Sequence, residues 1–337
     1  MTDQTWLACA AALTITACLP GTHREALAEF TPHGTFDEHI RVLTTAPGVT
    51  VTLVAPAAID RGQRVDLILY ALPNGNTTAE TMGRTLGDGI TWRFDIQHIA
   101  AQTRALRTLG MPQAIVAYLE ADTKSWPEWR RRQGHAHANA RIVALVDEIH
   151  AAIGNPQHLV VTLTGHSGGG SFMFGFIEGQ GTLPTWLERI AFLDANYNFA
   201  TEHGSRLIQW LRGDRQRTLV VMAYDDREIM LDGRKVVSDS GGTWRASRRM
   251  IDFFRDSAAT SFATDSLGGF ARHRAPQIDI LVHPNRDNRI LHTEMIGEMN
   301  GYMHALLARR PEYEAGESML KRSRVYSKWV DRRQQRD

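Results

Sequence analysis

The sequence predicts an α/β fold built on an eight-stranded, mostly parallel sheet with helices on both faces. Strand-like runs alternate with helix-like segments along the chain, and this alternation is typical of parallel sheets. Residues 65–71 (VDLILYA) are almost wholly apolar, as expected for a central strand covered on both faces. A third observation is a glycine-rich turn at residues 165–169 (GHSGG), which joins an apolar strand-like run directly to a helix-like segment.

The elements follow one another in a regular order. The predicted strands are residues 39–44, 49–55, 65–71, 113–119, 159–163, 189–193, 218–223 and 278–282. Pro47-Gly48 suits a hairpin turn between the first two, so this pair should form the antiparallel edge of the sheet. The predicted helices are residues 95–109, 137–153, the segment from the glycine-rich turn to about 178, residues 244–257, and one or two within 290–309. In the second of these helices, Ile142, Val146 and Ile149 share one face.

The composition is that of an ordinary soluble globular protein. The chain has 337 residues, of which 43% are hydrophobic and 22% charged, and a formal net charge of +1. This balance gives no indication of a nucleic-acid partner. The predicted organisation is a signal segment at residues 1–18, a linker at 19–37, the main domain at 38–310 and a basic C-terminal tail at 311–337. We expect the tail to be a solvated terminal helix, with contact to a membrane surface as the alternative.

The N-terminal segment predicts export. The run WLACAAALTITAC is apolar, too short to span a bilayer, and ends in small residues, as secretory signal sequences do. Ile15-Thr16-Ala17-Cys18 also resembles the lipobox of bacterial lipoproteins, which implies a lipidated Cys18 and attachment to a membrane. The alternative is a buried N-terminal helix. Because Cys9 and Cys18 are the only cysteines, the rest of the chain has no disulfide, no thiolate metal site and no cysteine nucleophile.

The glycine-rich turn carries the main catalytic signal. Residues 165–169 fit the motif G-x-S-x-G, and their place between a strand and a helix is that of a nucleophile elbow, a sharp turn that lifts the hydroxyl of Ser167 above the sheet. Glycine at positions 165 and 169 avoids collisions in so tight a turn. With this motif after the fifth of eight predicted strands, the sequence resembles the α/β-hydrolase fold superfamily, in particular its serine esterases and lipases, over residues 38–309. The resemblance implies a serine hydrolase with a Ser-His-Asp triad.

The same resemblance implies a triad acid after the sixth or seventh strand. Asp226 follows the seventh strand, where most members place the acid, and is the preferred candidate. Asp194 ends the sixth strand in Phe192-Leu193-Asp194-Ala195, which resembles the Leu-Asp-Pro-Ala of pancreatic-type lipases, and is the alternate. Asp225 is the third candidate. A strand-end aspartate that only caps the next helix is the competing interpretation.

The base is expected after the eighth strand. His292, on the loop that follows this strand, is preferred, His304 is the alternate, and His283 at the strand end is the third candidate. Because the chain has 14 histidines, the order along the chain and the position after the strand carry this assignment.

Two backbone N–H groups are expected to bind the oxyanion of the reaction. The resemblance implies Gly168, the residue after the nucleophile, and Asn76, in the loop Pro73-Asn74-Gly75-Asn76 after the third strand. An Asn-Gly pair is also a common turn signature. No metal or organic cofactor is expected. His166 is interpreted as a packing and hydrogen-bonding residue without a part in proton transfer.

The predicted substrate is a small-molecule ester. Two segments are candidates for shaping its pocket: residues 119–134, which carry Trp126, Trp129 and a cluster of arginines, and residues 227–244. Neither is a strongly apolar lid, so an esterase acting on small or polar esters is preferred to a long-chain lipase. An amidase or peptidase on the same fold, and a non-catalytic hydrolase-like binding protein, are the alternatives.

Overall fold

The computed structural model describes residues 24–45, 48–314, 316 and 318–332. The predicted signal segment, with Cys9 and Cys18, lies outside these residues. The strands are β1 (Arg24–Glu25), β2 (Thr31–Pro32), β3 (Glu38–Thr45), β4 (Val49–Pro56), β5 (Ile59–Asp60), β6 (Val65–Ala71), β7 (Ala114–Ala121), β8 (Leu159–His166), β9 (Leu187–Leu193), β10 (Thr218–Tyr224), β11 (Met230–Leu231), β12 (Arg234–Lys235), β13 (Ala263–Leu267), β14 (Phe270–Arg274) and β15 (Ile278–His283). The α-helices are α1 (Thr78–Met82), α2 (Ile99–Thr108), α3 (Trp126–Gln133), α4 (His135–Ala152), α5 (Gly170–Gly179), α6 (Thr201–Gly213), α7 (Thr243–Ala258), α8 (Gly301–Leu307) and α9 (Pro311–Glu314).

The central sheet has 11 strands in the order β13-β14-β15-β10-β9-β8-β6-β7-β4-β3-β2. It contains all eight predicted strands, but the predicted number is wrong, because β2 extends one edge and the β13–β14 hairpin extends the other. Within the run β15-β10-β9-β8-β6-β7, each strand is parallel to the next. Since β3 and β4 pair antiparallel with each other, and β4 with β7, the antiparallel edge is confirmed.

Helices cover both faces of the sheet, and each face has its own apolar core. Leu67 and Leu69 of β6 belong to one core, whereas Ile68 between them belongs to the other. This alternation is the period of two that a strand imposes on its side chains. Side chains of α3, α4, α5, α6 and α7 fill the first core, and those of α2 and α8 fill the second. The prediction of a central strand buried on both faces is therefore confirmed for β6, in which every residue is buried.

One predicted helical region is mostly not helical. Of residues 290–309, only Gly301–Leu307 forms an α-helix, and residues 290–300 form turns. Asn300 precedes the helix in the left-handed conformation, with φ of 58°. A helix cannot continue through such a residue. The turns place His292 on an irregular loop after β15.

The segments that flank the main domain pack against it. Leu27 and Phe30, within the predicted linker, are buried, and this segment contributes β1 and β2. In the tail, Tyr326 is fully buried, so residues 318–332 are not the solvated helix that we expected. The helical pieces of the described tail are the four-residue helix α9 and two short 3₁₀ turns, Met319–Lys321 and Ser327–Trp329. No helix within the described ranges is long and apolar enough to cross a membrane.

Candidate active site

Ser167 lies at a strained turn between β8 and α5. Its φ is 53°, in the left-handed region that a residue with a Cβ seldom adopts. The strand ends at His166, and a short 3₁₀ turn, Ser167–Gly169, leads into the helix. Such strain in a non-glycine residue is typical of functional turns. The strand–turn–helix context that the G-x-S-x-G motif requires is therefore present.

Close approach of neighbouring backbone explains the glycines of this turn. A Cβ at Gly169 would lie 2.2 Å from the carbonyl oxygen of Ala71 in β6, and a Cβ at Gly165 would lie 3.1 Å from the same atom. The steric reason given for these two glycines is thus confirmed. A Cβ at Gly170 would lie 1.8 Å from the carbonyl oxygen of Ala195, a requirement that the sequence analysis did not recognise. The elbow is therefore packed directly against the residue that follows Asp194.

The structure pairs His292 with Asp194. Nδ1 of His292 lies 2.5 Å from Oδ2 of Asp194, although 98 residues separate them in sequence. Asp194 is completely buried at the end of β9. Because a carboxylate can only accept a hydrogen bond, Nδ1 carries the proton and Nε2 is the free acceptor of the ring. This is the tautomer that a general base of a serine hydrolase needs.

His166 holds the loop of His292 next to the elbow. Its Nε2 lies 2.9 Å from the backbone carbonyl oxygen of His292, to which it donates, and the two imidazole rings are 4.4 Å apart between centroids. Burial, and to a smaller extent His292, lower the pKa of His166 well below its usual value. The ring is therefore a neutral hydrogen-bond donor, in agreement with the packing role that we expected.

Asp226, the preferred acid, binds the start of a helix. Its carboxylate accepts the backbone N–H groups of Thr243, at 2.7 Å, and Trp244, at 3.4 Å, which are the first two residues of α7. Burial, with the negative charge of Asp194, raises the pKa of Asp226 to about 6. Asp226 therefore caps a helix, which was the competing interpretation, and the expected pairing of His292 with Asp226 is replaced by its pairing with Asp194.

The remaining acid and base candidates have other partners. Asp225 forms an ion pair with Arg227, whose Nη2 lies 2.7 Å from Oδ2 of the aspartate. His304 is fully buried in α8, and its Nδ1 lies 2.9 Å from the hydroxyl of Tyr313. Burial lowers the pKa of His304 to about 3, so this ring stays neutral. Nδ1 of His283 accepts the backbone N–H of Asn285, at 3.0 Å.

The loop after β6 lies against the turn that carries the nucleophile. The atoms nearest to a Cβ placed on Gly168 all belong to the side chain of Asn74, at 1.9 Å for its Oδ1. Asn76 is also buried, but its backbone N–H faces the carbonyl oxygen of Pro73 at 3.5 Å. Oδ1 of Asn76 accepts a hydrogen bond of 3.0 Å from Arg93. The structure thus brings the predicted oxyanion loop to Gly168, against which the side chain of Asn74 lies.

Trp126 and Trp129 are buried side chains, and the cleft that Trp129 borders, about 10 Å³ in volume, is too small for a substrate. Both are buried in α3, where Trp126 packs edge-to-face on Phe172 of α5 with centroids 4.7 Å apart. Arg130 is buried with them and donates to the carbonyl oxygen of Ser171, at 3.0 Å. This part of residues 119–134 supports the helix behind the nucleophile. The burial of Trp126, Trp129 and Arg130 excludes these side chains as the wall of the substrate pocket for which this segment was a candidate.

The second candidate segment, residues 227–244, connects β10 to α7 and includes the first two residues of that helix. Its β11–β12 hairpin exposes Met230 and Leu231, each to about half of its surface. Arg227 stacks on the ring of Trp244 with its Cζ 3.7 Å from the centroid. The stacked pair of Arg227 and Trp244 therefore lies beside the carboxylate of Asp226, to which the backbone N–H of Trp244 donates.

No group of three or more histidine, cysteine, aspartate or glutamate side chains that could hold a metal ion is found among the described residues.

The comparisons with known proteins concern the fold. No protein-family profile and no curated protein matches the sequence. Among solved structures, a thermostable esterase is similar, with 12% identity and a TM-score of 0.46 over 86% of this chain, which spans 64% of that chain. A feruloyl esterase module from Clostridium thermocellum has 9% identity and a TM-score of 0.44 over 78% of this chain and 89% of that one. A siderophore hydrolase from Aspergillus nidulans has 11% identity and a TM-score of 0.42, covering 81% and 96% respectively. By its own strand order and its strand–elbow–helix turn, this chain has the α/β-hydrolase fold.

Proposed function

We propose that the protein is a serine hydrolase that cleaves a small carboxylic ester, with Ser167 as nucleophile, His292 as base and Asp194 as acid. The observation that supports this most is the 2.5 Å contact between His292 and Asp194. These residues come from two different strand ends, and His166, next to Ser167, holds the His292 loop. A histidine with a buried carboxylate on one nitrogen, next to a serine at a strained turn, is the arrangement that acyl transfer through serine requires.

The mechanism follows from the hydrogen bonds. Nε2 of His292 takes the proton of Ser167 as Oγ attacks the carbonyl carbon of the ester. The carboxylate of Asp194 keeps the imidazole in the required tautomer and stabilises the imidazolium. The same proton then passes to the alkoxide leaving group, and an acyl-enzyme remains. Water, activated by His292, releases the carboxylic acid and restores Ser167.

The oxyanion of the tetrahedral intermediate requires donors close to Ser167. We assign one to the backbone N–H of Gly168, as in the sequence analysis, and the second to the Asn74–Asn76 loop. The contact of Asn74 with Gly168 supports the placement of this loop. Removal of one such donor typically costs about 100- to 1,000-fold in kcat.

The first test is covalent labelling of the purified protein by a fluorophosphonate probe, together with turnover of p-nitrophenyl acetate. Ser167→Ala should abolish both, and His292→Ala should abolish turnover. Ser171→Ala is the matched control, because this serine lies in the same elbow helix, buried behind the turn, and should keep both activities. Labelling or turnover that persists in Ser167→Ala would refute Ser167 as the nucleophile, whereas a folded wild type that shows neither activity would favour a binding protein.

The bond specificity is tested with one acyl group in two linkages, p-nitrophenyl acetate and p-nitroacetanilide. Each rate should be divided by that of the uncatalysed reaction. A larger enhancement for the ester supports the esterase assignment, whereas a larger one for the anilide would make the protein an amidase.

We further propose that the chain is exported and lipidated at Cys18. In bacterial cells, an alkyne analogue of palmitate should label the wild type and not Cys18→Ser, and only the wild type should sediment with membranes. Equal distribution of the two forms would contradict lipidation.

A further inference from the structure

Thr243, the first residue of α7, lies between two buried carboxylates. Its hydroxyl donates to Oδ1 of Asp194 and lies 3.4 Å from Oδ2 of Asp226. Thr243 and Asp194 are completely buried, and Asp226 is 2% exposed. Because Oδ2 of Asp194 binds His292, both oxygens of this carboxylate are occupied, one by the imidazole and one by the hydroxyl.

The single hydroxyl proton can serve only one of the two carboxylates at a time. The shorter contact assigns this proton to Asp194. Asp226 instead receives the backbone N–H groups of Thr243 and Trp244, which have no partner within the helix because they belong to its first turn. The carboxylate of Asp226 therefore fixes the start of α7, and with it the position of the Thr243 hydroxyl.

Gly242 makes this close approach possible. Its φ is 93°, and a Cβ at this position would lie 2.6 Å from both carboxylate oxygens of Asp226. A larger residue would push the aspartate away from the helix terminus.

We propose, on the basis of the serine-hydrolase assignment above, that Thr243 is a positioning residue of the active site: its hydroxyl holds Asp194 in the rotamer that binds His292, and Asp226 holds Thr243 through the first turn of α7. Without the hydroxyl, Oδ1 of Asp194 is a buried carboxylate oxygen that has lost its donor. The carboxylate then rotates or becomes hydrated, and the imidazole loses its orientation toward Ser167.

The other polar groups around this chain of hydrogen bonds do not replace Thr243. Tyr197 and Tyr224 also lie near Asp194: burial, and then the charge of Asp194, raise the pKa of each. Neither phenol hydroxyl forms a hydrogen bond with this carboxylate, whose side-chain donors among the described residues are Thr243 and His292. The guanidinium of Arg227 is bound to Asp225 and stacked on Trp244. The hydroxyl of Thr243 is thus the side-chain donor that the structure provides to Oδ1 of Asp194.

The experiment compares Thr243→Val with Thr243→Ser in the full chain, with p-nitrophenyl acetate as substrate. The valine variant keeps the shape of the side chain and loses the donor, so kcat should fall about 10- to 100-fold with KM within about twofold. The serine variant should recover kcat to within about threefold of the wild type.

Thr103→Val is the matched control. Thr103 is also a buried helical threonine, and its hydroxyl donates to the carbonyl oxygen of Ile99 at 2.8 Å, in a helix that packs on the other face of the sheet. This variant should lose stability to a similar extent while its kcat and KM stay at wild-type values.

Two results would overturn the proposal. If Thr243→Val keeps kcat within twofold of Thr103→Val, the hydroxyl does not position Asp194, although the serine mechanism stands if Ser167→Ala is inactive. If Ser167→Ala is fully active, the serine mechanism fails and this proposal fails with it. Should Thr243→Val not fold, Asp226→Asn tests the same chain of contacts and should lower kcat about three- to tenfold, and an unchanged kcat contradicts the proposal.

Discussion

The pairing of His292 with Asp194 predicts that kcat depends much more on Asp194 than on Asp226. The sequence alone favoured Asp226 as the acid. Asp194→Asn replaces the carboxylate that accepts the Nδ1 proton at 2.5 Å with a neutral amide. In the serine protease template, the corresponding change costs about 10⁴-fold in kcat, because the imidazole adopts the wrong tautomer. This loss corresponds to about 5 kcal/mol of transition-state stabilisation. Asp194 is completely buried, so solvent does not compensate for the missing charge.

Asp226→Asn should have a much smaller effect. The asparagine side chain keeps one oxygen that can accept an N–H group at the start of α7, so we expect a fall in kcat of about tenfold or less. Asp225→Asn, at the neighbouring position, is the matched control and should stay within about twofold of the wild type, because Asp225 contacts Arg227 at the surface.

The assay is the steady-state hydrolysis of p-nitrophenyl acetate at pH 8. The thermal unfolding curve of each variant shows how much of the protein is folded at the temperature of the assay. The order of kcat should be Asp225→Asn, then Asp226→Asn, then Asp194→Asn far below them. A loss for Asp226→Asn as large as that for Asp194→Asn would refute the geometric assignment of the acid.

Three further predictions concern stability. Because the pKa of Asp226 rises from 3.8 to about 6 on folding, the carboxyl takes up its proton at a higher pH in the native state than in the unfolded state. As the pH falls from about 7 to 4, the free energy of unfolding of the wild type should therefore rise by up to about 3 kcal/mol relative to that of Asp226→Asn, measured by urea unfolding. Gly170→Ala places a Cβ 1.8 Å from the Ala195 carbonyl and should cost about 3 kcal/mol; an unchanged Tm would contradict the contact. Asp279→Ala removes the two hydrogen bonds of 2.7 Å that buried Arg272 donates to Asp279 and leaves only its longer contacts with Glu314. This change should cost about 3 kcal/mol, with kcat per folded molecule unchanged.

The fold was largely predictable because its eight main strands are apolar and β-branched. The missed strands lack this signal. β13 (ATDSL) is exposed along almost its whole length, and β2 has only two residues, one of them Pro32. Such strands form because a neighbouring edge offers unpaired backbone groups, which is a property of the assembled sheet. Their own residues therefore carry no periodic pattern from which they could be recognised.

The helix expected within 290–309 was overestimated for a related reason. Leu291, Met295 and Ile296 are buried and lie at helical spacing, so they imitate an amphipathic helix. Left-handed Asn288 and Asn300 confine the region to turns. The spacing of apolar residues indicates only which side chains face the core. A segment of turns that covers the core can show the same spacing as a helix.

The local and the long-range parts of the candidate site differ in how far sequence can predict them. The elbow of Ser167 can be recognised within five consecutive residues, because its motif is contiguous in the chain, although the backbone that requires its glycines belongs to Ala71 in β6. The choice between Asp194 and Asp226 depends instead on where α7 begins. Since that helix starts at Thr243, its first backbone N–H groups donate to Asp226. The hydroxyl of Thr243 donates to one oxygen of Asp194, and the other oxygen of Asp194 binds His292. The start of one helix, 17 residues after Asp226, thus determines which of two strand-end carboxylates meets the histidine. Both strand ends have the residue type that an acid requires, so composition and order along the chain cannot separate them.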